Sequence, residues 1–322
     1  MDDQSLTVEE LIKKAEQREE AGLLQEAMAC WSTVFKNNSD PICLCQLGRL
    51  AKELKQWTEA ERFFLSAIEL APKIRIPYDQ LGLLHLHQDN LETAIDYFEQ
   101  SLAIKGKPGI YSLLGVAQNR LGMTAAARES YEKALKLDPN YEEACYNLGI
   151  TFQEEQPDKA IALFQRAIEL DPEFACAYRE LGWIQRKQEQ AEKSEYHLRK
   201  AIELDDQDGW AYIYLGNLMM DVQEDFASAE EAFKLALKVW PDESISHWTL
   251  GDLYWNQGRT QEAKSLYERA VELETDNSEA NFRLGLLLKE LGEFTKAKFY
   301  LEQTLVFRPE HKKAKAALKE IK

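Results

Sequence analysis

The amino-acid sequence predicts an all-α fold built from a repeated pair of helices. Ala, Glu, Leu, Lys and Arg make up 156 of the 322 residues, or 48%, a composition typical of long helices. Valine (7) and threonine (11), which favour strands, are scarce. A period of 33 to 35 residues separates successive Leu-Gly pairs, whose glycines are Gly48, Gly82, Gly115, Gly149, Gly182, Gly216, Gly251 and Gly285. Such a period predicts one stacked helical repeat domain, although chain length alone would suggest two globular domains.

The first helix of each repeat is predicted around the Leu-Gly pair. Leu, Gly and the residue three positions later lie on one face of a helix. Glycine inside a helix costs about 1 kcal/mol relative to alanine, so eight glycines in register require a packing reason. We expect these glycines to let a second helix approach closely.

The second helix is predicted from a small residue about twelve positions after the glycine, with a large residue four positions later. This spacing places both on one helix face, where the large side chain can fill the space above glycine. We call the small residue the small position, and it is occupied in order by Ala27, Ala60, Ala94, Ala127, Ala160, Ser194, Ala229, Ala263 and Ala297. Left-handed caps are predicted between the two helices at Gly22, Gly122, Gly258 and Gly292. A closing proline often ends the second helix, because it cannot continue one.

Two segments carry a resemblance to a known family. They are residues 127–149, ARESYEKALKLDPNYEEACYNLG, and residues 177–205, AYRELGWIQRKQEQAEKSEYHLRKAIELD. The chain resembles the tetratricopeptide repeat family over nearly its whole length. The resemblance implies an all-α, right-handed superhelical solenoid of antiparallel helix pairs, whose first helices line a concave groove. We predict an N-terminal tail over 1–7, a capping helix over 312–322, and repeats over 8–40, 41–74, 75–107, 108–141, 142–174, 175–208, 209–243, 244–277 and 278–311.

The first repeat is degenerate, since Ala15 stands where glycine is expected. Thr7 and Glu10 form the pattern of a capping box, which predicts the start of the first helix. Trp31 fits a core position in the second helix of this repeat. The repeat over 142–174 is one residue short between its helices and the repeat over 209–243 is one residue long, so we expect local loop adjustments there.

The resemblance also predicts which residues face the groove. In that family they are usually the second, fifth, ninth, twelfth and thirteenth residues of each repeat. They are not needed for packing, so unusual residue types there indicate binding. The predicted partner-binding residues are Arg49, Lys52, Asn119, Arg120, Tyr146, Arg179, Trp183, Arg186, Lys187, Trp210, Asn217, Trp248, Trp255, Asn256 and Phe282.

Two interpretations of the sixth-repeat residues remain open. Arg179, Arg186 and Lys187 share one helical face and either contact a partner or pair with local carboxylates, as exposed charges commonly do. The tryptophans near them likewise either contact a partner, as aromatic residues do at binding hot spots, or pack within the stack. Trp240, which precedes Pro241, is interpreted as a helix cap.

The charge balance argues against a nucleic-acid partner but does not identify any other partner. The chain has 56 acidic and 39 basic residues, a net charge of −17. Such a surface repels nucleic acid over most of its area. An RNA-binding helical repeat would need a continuous basic, base-stacking track, and the acidic N-terminal third argues against it. We therefore expect no nucleic-acid partner.

Catalysis, metals and cofactors are not predicted. The sequence has no HExxH, no Gly-rich phosphate loop, no GxSxG and no Cys-x-x-Cys. The pairs Cys43/Cys45 and His85/His87 fall in helical patterns, where residues two apart point to different faces, so neither pair can chelate a metal. His85 is predicted to be a core residue. Some family members clamp the C-terminal carboxylate of chaperones, but no three consecutive first helices here supply the required Lys, Asn and Arg set.

The sequence therefore predicts a non-catalytic scaffold or adaptor that binds an extended peptide or protein segment in its concave groove. The alternative is a structural subunit of a homo- or hetero-oligomer, acting through convex faces or repeat ends, and self-association stays open. No secretory signal pattern and no apolar run of 18 residues is present, so we expect no membrane insertion. Five cysteines without framework spacing fit reduced thiols and a cytoplasmic location.

Overall fold

A computed structural model of the chain describes residues 6–321. Within that range it contains nineteen helices and no strand, which confirms the all-α prediction. Only Leu6 and Thr7 of the predicted tail are described, and the last residue of the predicted capping helix, Lys322, lies outside the described range. The chain divides into two compact units, and unit 1 ends at Leu163 while unit 2 begins at Phe164.

Unit 1 consists of paired helices joined by short turns. Its complete helices are α1 (Val8–Glu20), α2 (Leu24–Asn38), α3 (Pro41–Glu53), α4 (Trp57–Leu70), α5 (Ile76–His87), α6 (Leu91–Ile104), α7 (Pro108–Arg120), α8 (Thr124–Leu137) and α9 (Glu142–Phe152). The next helix, α10 (Pro157–Leu170), contains the unit boundary. Throughout the nine repeats, odd-numbered helices are the first helices of the predicted repeats, and even-numbered ones are the second helices.

Unit 2 repeats the same pairing and ends with a single helix. Its helices after α10 are α11 (Ala175–Lys187), α12 (Ala191–Leu204), α13 (Gly209–Asp221), α14 (Phe226–Val239), α15 (Ser244–Asn256), α16 (Thr260–Leu273), α17 (Ser278–Glu290), α18 (Phe294–Phe307) and α19 (Lys312–Glu320). From α11 to α18, each first helix packs against its own second helix, each of α12, α14 and α16 packs against the next first helix, and α18 packs against α19.

Seven of the Leu-Gly glycines lie directly beneath a large side chain of the second helix. A Cβ atom on Gly48 would lie 2.5 Å from Cε1 of Phe64, which is itself fully buried. The large residue sixteen positions after the glycine fills this space at Gly82, Gly115, Gly182, Gly251 and Gly285 as well, and at Gly216 the residue seventeen positions later, Phe233, fills it. Close helix contact is therefore the packing reason for these glycines, as predicted.

The turns between paired helices use the left-handed backbone region. Gly22, Gly122, Gly258 and Gly292 all have φ between +72° and +80°, which confirms the predicted caps. Lys55, Asp89 and Glu189 occupy the same turn position with φ near +60°. In the long repeat Glu224 carries the positive φ of +52°, whereas the short repeat has none, so the loops adjust locally as expected.

Specific polar contacts and apolar packing define both ends of the described chain. The Thr7 backbone N–H donates to Oε2 of Glu10 at 2.8 Å, and the Glu10 N–H donates to Oγ1 of Thr7, so the predicted capping box is present. Trp31 is buried in the first repeat, as predicted. At the other end, α19 places Ala314 and Ala317 against the last complete repeat.

Candidate partner-binding face

Consecutive first helices form a face in each unit. In unit 1 the contacts join α3 to α5, α5 to α7 and α7 to α9, and in unit 2 they join α11 to α13, α13 to α15 and α15 to α17. Within each unit, the surface that these neighbouring first helices form is where the repeat register predicts the groove residues. We call these surfaces the first-helix faces of units 1 and 2.

The basic residues on the unit 1 face bind neighbouring repeats. Arg49 forms an ion pair with Glu19 of the preceding repeat, and its Nη1 lies 2.7 Å from Oε1 of Glu53. Nζ of Lys52 donates to Oε1 of Gln80 in the following repeat at 2.8 Å. Burial is the main cause that lowers the pKa of Lys52. The side chains of Arg49 and Lys52 therefore already have polar partners within this chain.

Arg120 follows the same pattern at the edge of the unit 1 face. Its Nη2 lies 2.8 Å from Oδ1 of Asp89, and its Nη1 donates to the carbonyl oxygen of Leu86 at 3.2 Å. Both charged side chains remain largely exposed, so water screens this pair. Asn119 and Tyr146, the other predicted binding residues of this unit, are half-buried.

On the unit 2 face, the structure favours the ion-pair interpretation of the sixth repeat. Nη2 of Arg179 lies 2.8 Å from Oε1 of Glu180, and its Nη1 lies 2.6 Å from Oδ2 of Asp208, the N-cap residue of α13. Nη1 of Arg186 lies 2.9 Å from Oδ2 of Asp221. These carboxylates offset the positive charge that the sequence alone predicts at this point.

Aromatic side chains form a connected group on the unit 2 face. The Trp210 ring centroid lies 5.7 Å from that of Tyr214 and 6.0 Å from that of Trp240, the latter in an edge-to-face arrangement. The Tyr214 ring also approaches Trp183, at 6.3 Å between centroids. We call Trp183, Trp210, Tyr214 and Trp240 the aromatic cluster. Such ring arrangements add about 0.5–1.5 kcal/mol per pair beyond the burial of area.

Sequence reasoning missed two members of the aromatic cluster. Tyr214 lies one turn after Trp210 on α13, a spacing that could have identified it. Its pKa is raised to about 12, mainly by burial. Trp240 does end α14, as interpreted, but its indole also occupies the space where a side chain on Gly209 would lie. This contact joins α13 to α14 and could not be inferred from spacing.

The remaining predicted tryptophans each have a polar partner. The Arg283 guanidinium lies 4.0 Å from the centroid of the Trp248 ring, a cation–π contact. Nε1 of Trp255 donates to Oε2 of Glu290 at 2.9 Å. Nζ of Lys187 lies 3.7 Å from the Trp183 ring centroid.

The two predicted asparagines of unit 2 differ in exposure. Asn217 is half-buried on α13, whereas Asn256 is exposed and its Nδ2 lies 3.6 Å from Sδ of Met220.

Phe282 was predicted to face a partner, but the structure places it in the core. Its side chain is only 7% exposed and packs with Leu301, Ala314 and Ala317. The His311 ring lies 4.4 Å from it between centroids. The prediction was wrong because α19 covers this end of α17, and the repeat register alone cannot show that cover.

Comparison with known proteins decides the family. Family models described as tetratricopeptide repeats match residues 43–74, 77–108, 152–209, 222–272 and 254–321, and one described as a TPR repeat matches 121–156. The chain belongs to the tetratricopeptide repeat family. This assignment agrees with the helix pairs and with the glycine beneath each large side chain.

Relatives of this tetratricopeptide repeat chain include much longer proteins. The human protein O-mannosyl-transferase TMTC3 is 24% identical over 286 residues, which cover 82% of this chain and 27% of the relative. The peroxisomal targeting signal receptor of Saccharomyces cerevisiae is 28% identical over 220 residues, covering 63% of this chain and 35% of the relative. The chain thus spans about a quarter to a third of the length of these curated relatives.

Among solved structures, the chain is similar to the crystal structure of the APC/C hetero-tetramer Cut9-Hcn1. The TM-score is 0.65 at 16% identity, over 92% of this chain and 59% of that chain. At this identity the likeness shows the tetratricopeptide repeat fold alone.

Three of the four side chains in the Cys43/Cys45 and His85/His87 pairs are buried, and only His87 is exposed. His85 is buried and its ring stacks on Tyr97 at 5.5 Å between centroids, as expected for a core residue. Burial raises the pKa of Cys45 to about 11, so its thiolate is scarce near neutral pH. Between residues 6 and 321 no group of three His, Cys, Asp or Glu side chains is placed to hold a metal ion. Within the same range, no helix combines the length and apolar character needed to cross a membrane.

Proposed function

We propose that this chain is a non-catalytic scaffold that binds an extended segment of a partner protein across the first-helix face of unit 2. The aromatic cluster makes the main contact. Membership of the tetratricopeptide repeat family supports a protein-interaction role, and the geometry of the cluster supports the site.

The observation that carries the proposal is that Trp210 stays exposed although two other aromatic rings pack against it. Its side chain is 38% exposed although Tyr214 and Trp240 pack against it. Trp183 is half-buried at the other end of the cluster. An indole held by neighbouring rings loses little conformational freedom when a partner covers it, which is the property of a binding hot spot.

Hydrogen bonding to the partner backbone is assigned to an amide on the same helix. Asn217 follows Trp210 by seven residues and Tyr214 by three, so the three side chains share one face of α13. A carboxamide both donates and accepts, which suits the main chain of an extended segment. Because Arg179 and Arg186 are already paired, the proposed segment binds through apolar side chains and its backbone, and not through an anionic end.

The mannosyl-transferase named among the relatives does not assign that activity to this chain. The matched residues amount to 27% of that protein, so its chemistry belongs to a whole that this chain does not span.

The proposal is tested with peptides selected from a phage-displayed random 12-residue library against the wild-type chain. Each selected peptide is then measured by fluorescence anisotropy against a Trp183→Ala/Trp210→Ala double variant. Loss of two hot-spot indoles is expected to weaken binding by at least about thirtyfold, equivalent to about 2 kcal/mol. Helicity and urea unfolding establish that the double variant remains folded.

The matched control is Trp57→Ala, which removes an indole that is 43% exposed on α4 of unit 1. It is expected to keep wild-type peptide affinity. If selected peptides bind both variants as tightly as wild type, the unit 2 face is not the binding site. If light scattering shows that the double variant loses only self-association and no peptide is ever selected, the chain is an assembly subunit instead.

A further inference from the structure

A second apolar surface lies on α18, outside the first-helix face. Phe299 is 53% exposed and Val306 is 65% exposed. They are seven residues apart, which places them on one side of the helix and about 10 Å apart along its axis. We call Phe299 and Val306 the α18 pair.

The other repeats show that the α18 pair is not needed for folding. Phe299 is two residues after the small position, where the preceding repeats carry Ala29, Arg62, Asp96, Glu129, Ala162, Tyr196, Glu231 and Ser265. Val306 is nine residues after the small position, where they carry Lys36, Glu69, Ala103, Lys136, Glu169, Glu203, Lys238 and Glu272. Of the nine repeats, only the last has large apolar residues at both positions, so packing within the repeat does not account for them.

The other exposed apolar residues of α18, Phe294 and Phe307, occupy positions that are also apolar and exposed in other repeats. Phe307 is 45% exposed, but Leu70 and Leu137 occupy the same repeat position and are 55% and 53% exposed. Phe294 corresponds to Trp57 and Phe226, which are also exposed. These positions are apolar in several repeats and therefore belong to the general architecture. Tyr196 of the sixth repeat occupies the same position as Phe299. The residue at the Val306 position of that repeat is Glu203, which forms an ion pair with Lys200, so that repeat has no apolar pair.

The charge beside the α18 pair is opposite to that of the chain. Residues 294–321 contain seven basic and three acidic side chains, whereas the whole chain has a net charge of −17. Arg308, Lys312 and Lys313 are exposed, and none of the three forms an ion pair with any residue between 6 and 321. All three follow Val306 within seven residues of chain. The segment from Phe299 to Lys313 thus combines two exposed apolar side chains with three exposed cations that form no ion pair within residues 6–321.

From this arrangement we infer that α18 is a docking surface for an acidic amphipathic helix of a partner protein. Two apolar side chains two turns apart match a helix that presents apolar residues at similar intervals. Carboxylates on the flanks of that helix would pair with Arg308, Lys312 and Lys313. The inference concerns a different face from the aromatic cluster and does not depend on the proposed function.

The test uses the 322-residue chain and a synthetic peptide of about 21 residues, with leucine every three or four positions and mostly glutamate elsewhere. A peptide of the same composition with scrambled order is the ligand control. Binding is measured by fluorescence anisotropy at low and high salt. The amphipathic peptide is expected to bind at least about tenfold more tightly than the scrambled one, and more weakly as salt rises.

The decisive variant is Phe299→Ser/Val306→Glu, which introduces residue types that other repeats carry at these positions. It is expected to weaken peptide binding at least about tenfold while helicity and melting stay unchanged. The matched control is Arg62→Ser/Glu69→Ser, at the same two positions of α4, which should retain wild-type affinity. The Trp183→Ala/Trp210→Ala variant should also retain it, which separates this inference from the proposed function.

Several outcomes would overturn the inference. One is equal affinity for the scrambled peptide, and another is unchanged affinity in the α18 double variant. Sedimentation with vesicles containing phosphatidylserine that depends on Phe299 and Val306, without peptide binding, would assign the surface to a membrane. A light-scattering mass that falls in the same variant, again without peptide binding, would assign it to a second copy of the chain.

Discussion

Nη1 of Arg179 lies 2.6 Å from Oδ2 of Asp208, whose other oxygen accepts from the Trp210 backbone N–H at 3.0 Å. One carboxylate therefore pairs with the cation of α11 and caps the N-terminus of α13. The side chains of Arg179 and Asp208 are only 14% and 5% exposed. An arginine that sequence position assigns to ligand binding thus joins two consecutive repeats, and it positions the helix that carries Trp210.

Removing the Arg179 charge is expected to destabilise unit 2. In Arg179→Leu, the buried Asp208 carboxylate would lose the Arg179 guanidinium, and breaking a buried pair in this way typically costs about 3–5 kcal/mol. Urea unfolding followed by circular dichroism measures the loss. The control is Arg120→Leu, which removes an exposed pair with Asp89 and should cost less than about 1 kcal/mol. Equal losses in the two variants would show that burial does not distinguish these pairs.

A methyl group on Gly216 is expected to disrupt the contact with Phe233. The added Cβ would lie 2.5 Å from Cε1 of that ring, so the helices must separate or the ring must leave its rotamer. Overpacking of this kind costs about 1–3 kcal/mol. The loss should shrink in a Phe233→Ala background, measured as a double-mutant cycle. Gly106→Ala, whose nearest side-chain atom lies at 3.6 Å, is the control and should change stability little.

Gly122→Ala tests the cost of the left-handed backbone conformation without any steric clash. No atom lies within 4 Å of the added Cβ, but the residue has φ of +80°. An L-residue in this region costs about 1–2 kcal/mol, so unfolding should require correspondingly less denaturant. Glu189 already occupies the equivalent turn with φ of +59°, and Glu189→Gly is expected to cause no loss. A neutral Gly122→Ala would show that this turn can change its backbone conformation.

The folded protein is expected to become less stable as pH falls, because His197 takes up a proton. Burial is the main cause that lowers the pKa of this imidazole below its usual 6.5, and Nδ1 lies 2.7 Å from Oε1 of Gln185. The unfolded chain therefore takes up the proton more readily than the folded one. The contribution is present above pH of about 6.5 and is lost as pH falls through and below that value.

The pH effect is measured as the free energy of urea unfolding between pH 8 and pH 5, in wild type and in His197→Gln. The variant should show a shallower decline, since one of the titrating groups is gone. A decline that is identical in the two proteins would assign the pH effect to other groups.

Most of the secondary structure could be predicted because its causes are local. The interval between Leu-Gly pairs, the small position and the turn glycines depend on helix periodicity and on φ, which neighbouring residues determine. Gly48 beneath Phe64 and the left-handed Gly122 follow from these rules directly. The Thr7–Glu10 capping box is local in the same sense.

The face that a residue presents was harder to predict than its helix. Repeat register identified Arg179 and Arg186 as groove residues, yet their partners Asp208 and Asp221 are 29 and 35 residues away in sequence. The pattern of one first helix does not show whether its cation will meet a carboxylate that caps the next first helix or lies within it. Phe282 is a similar case, because only the packing of α19 removes it from the surface.

The sequence by itself determined that this chain is a tetratricopeptide repeat protein, since one pattern with local physical causes recurs along nearly all of it. Only the tertiary structure decided which cations are matched, which tryptophans support one another, and which apolar side chains on α18 stay uncovered. Those properties depend on distances between residues of different helices, and such distances exist only once the helices pack.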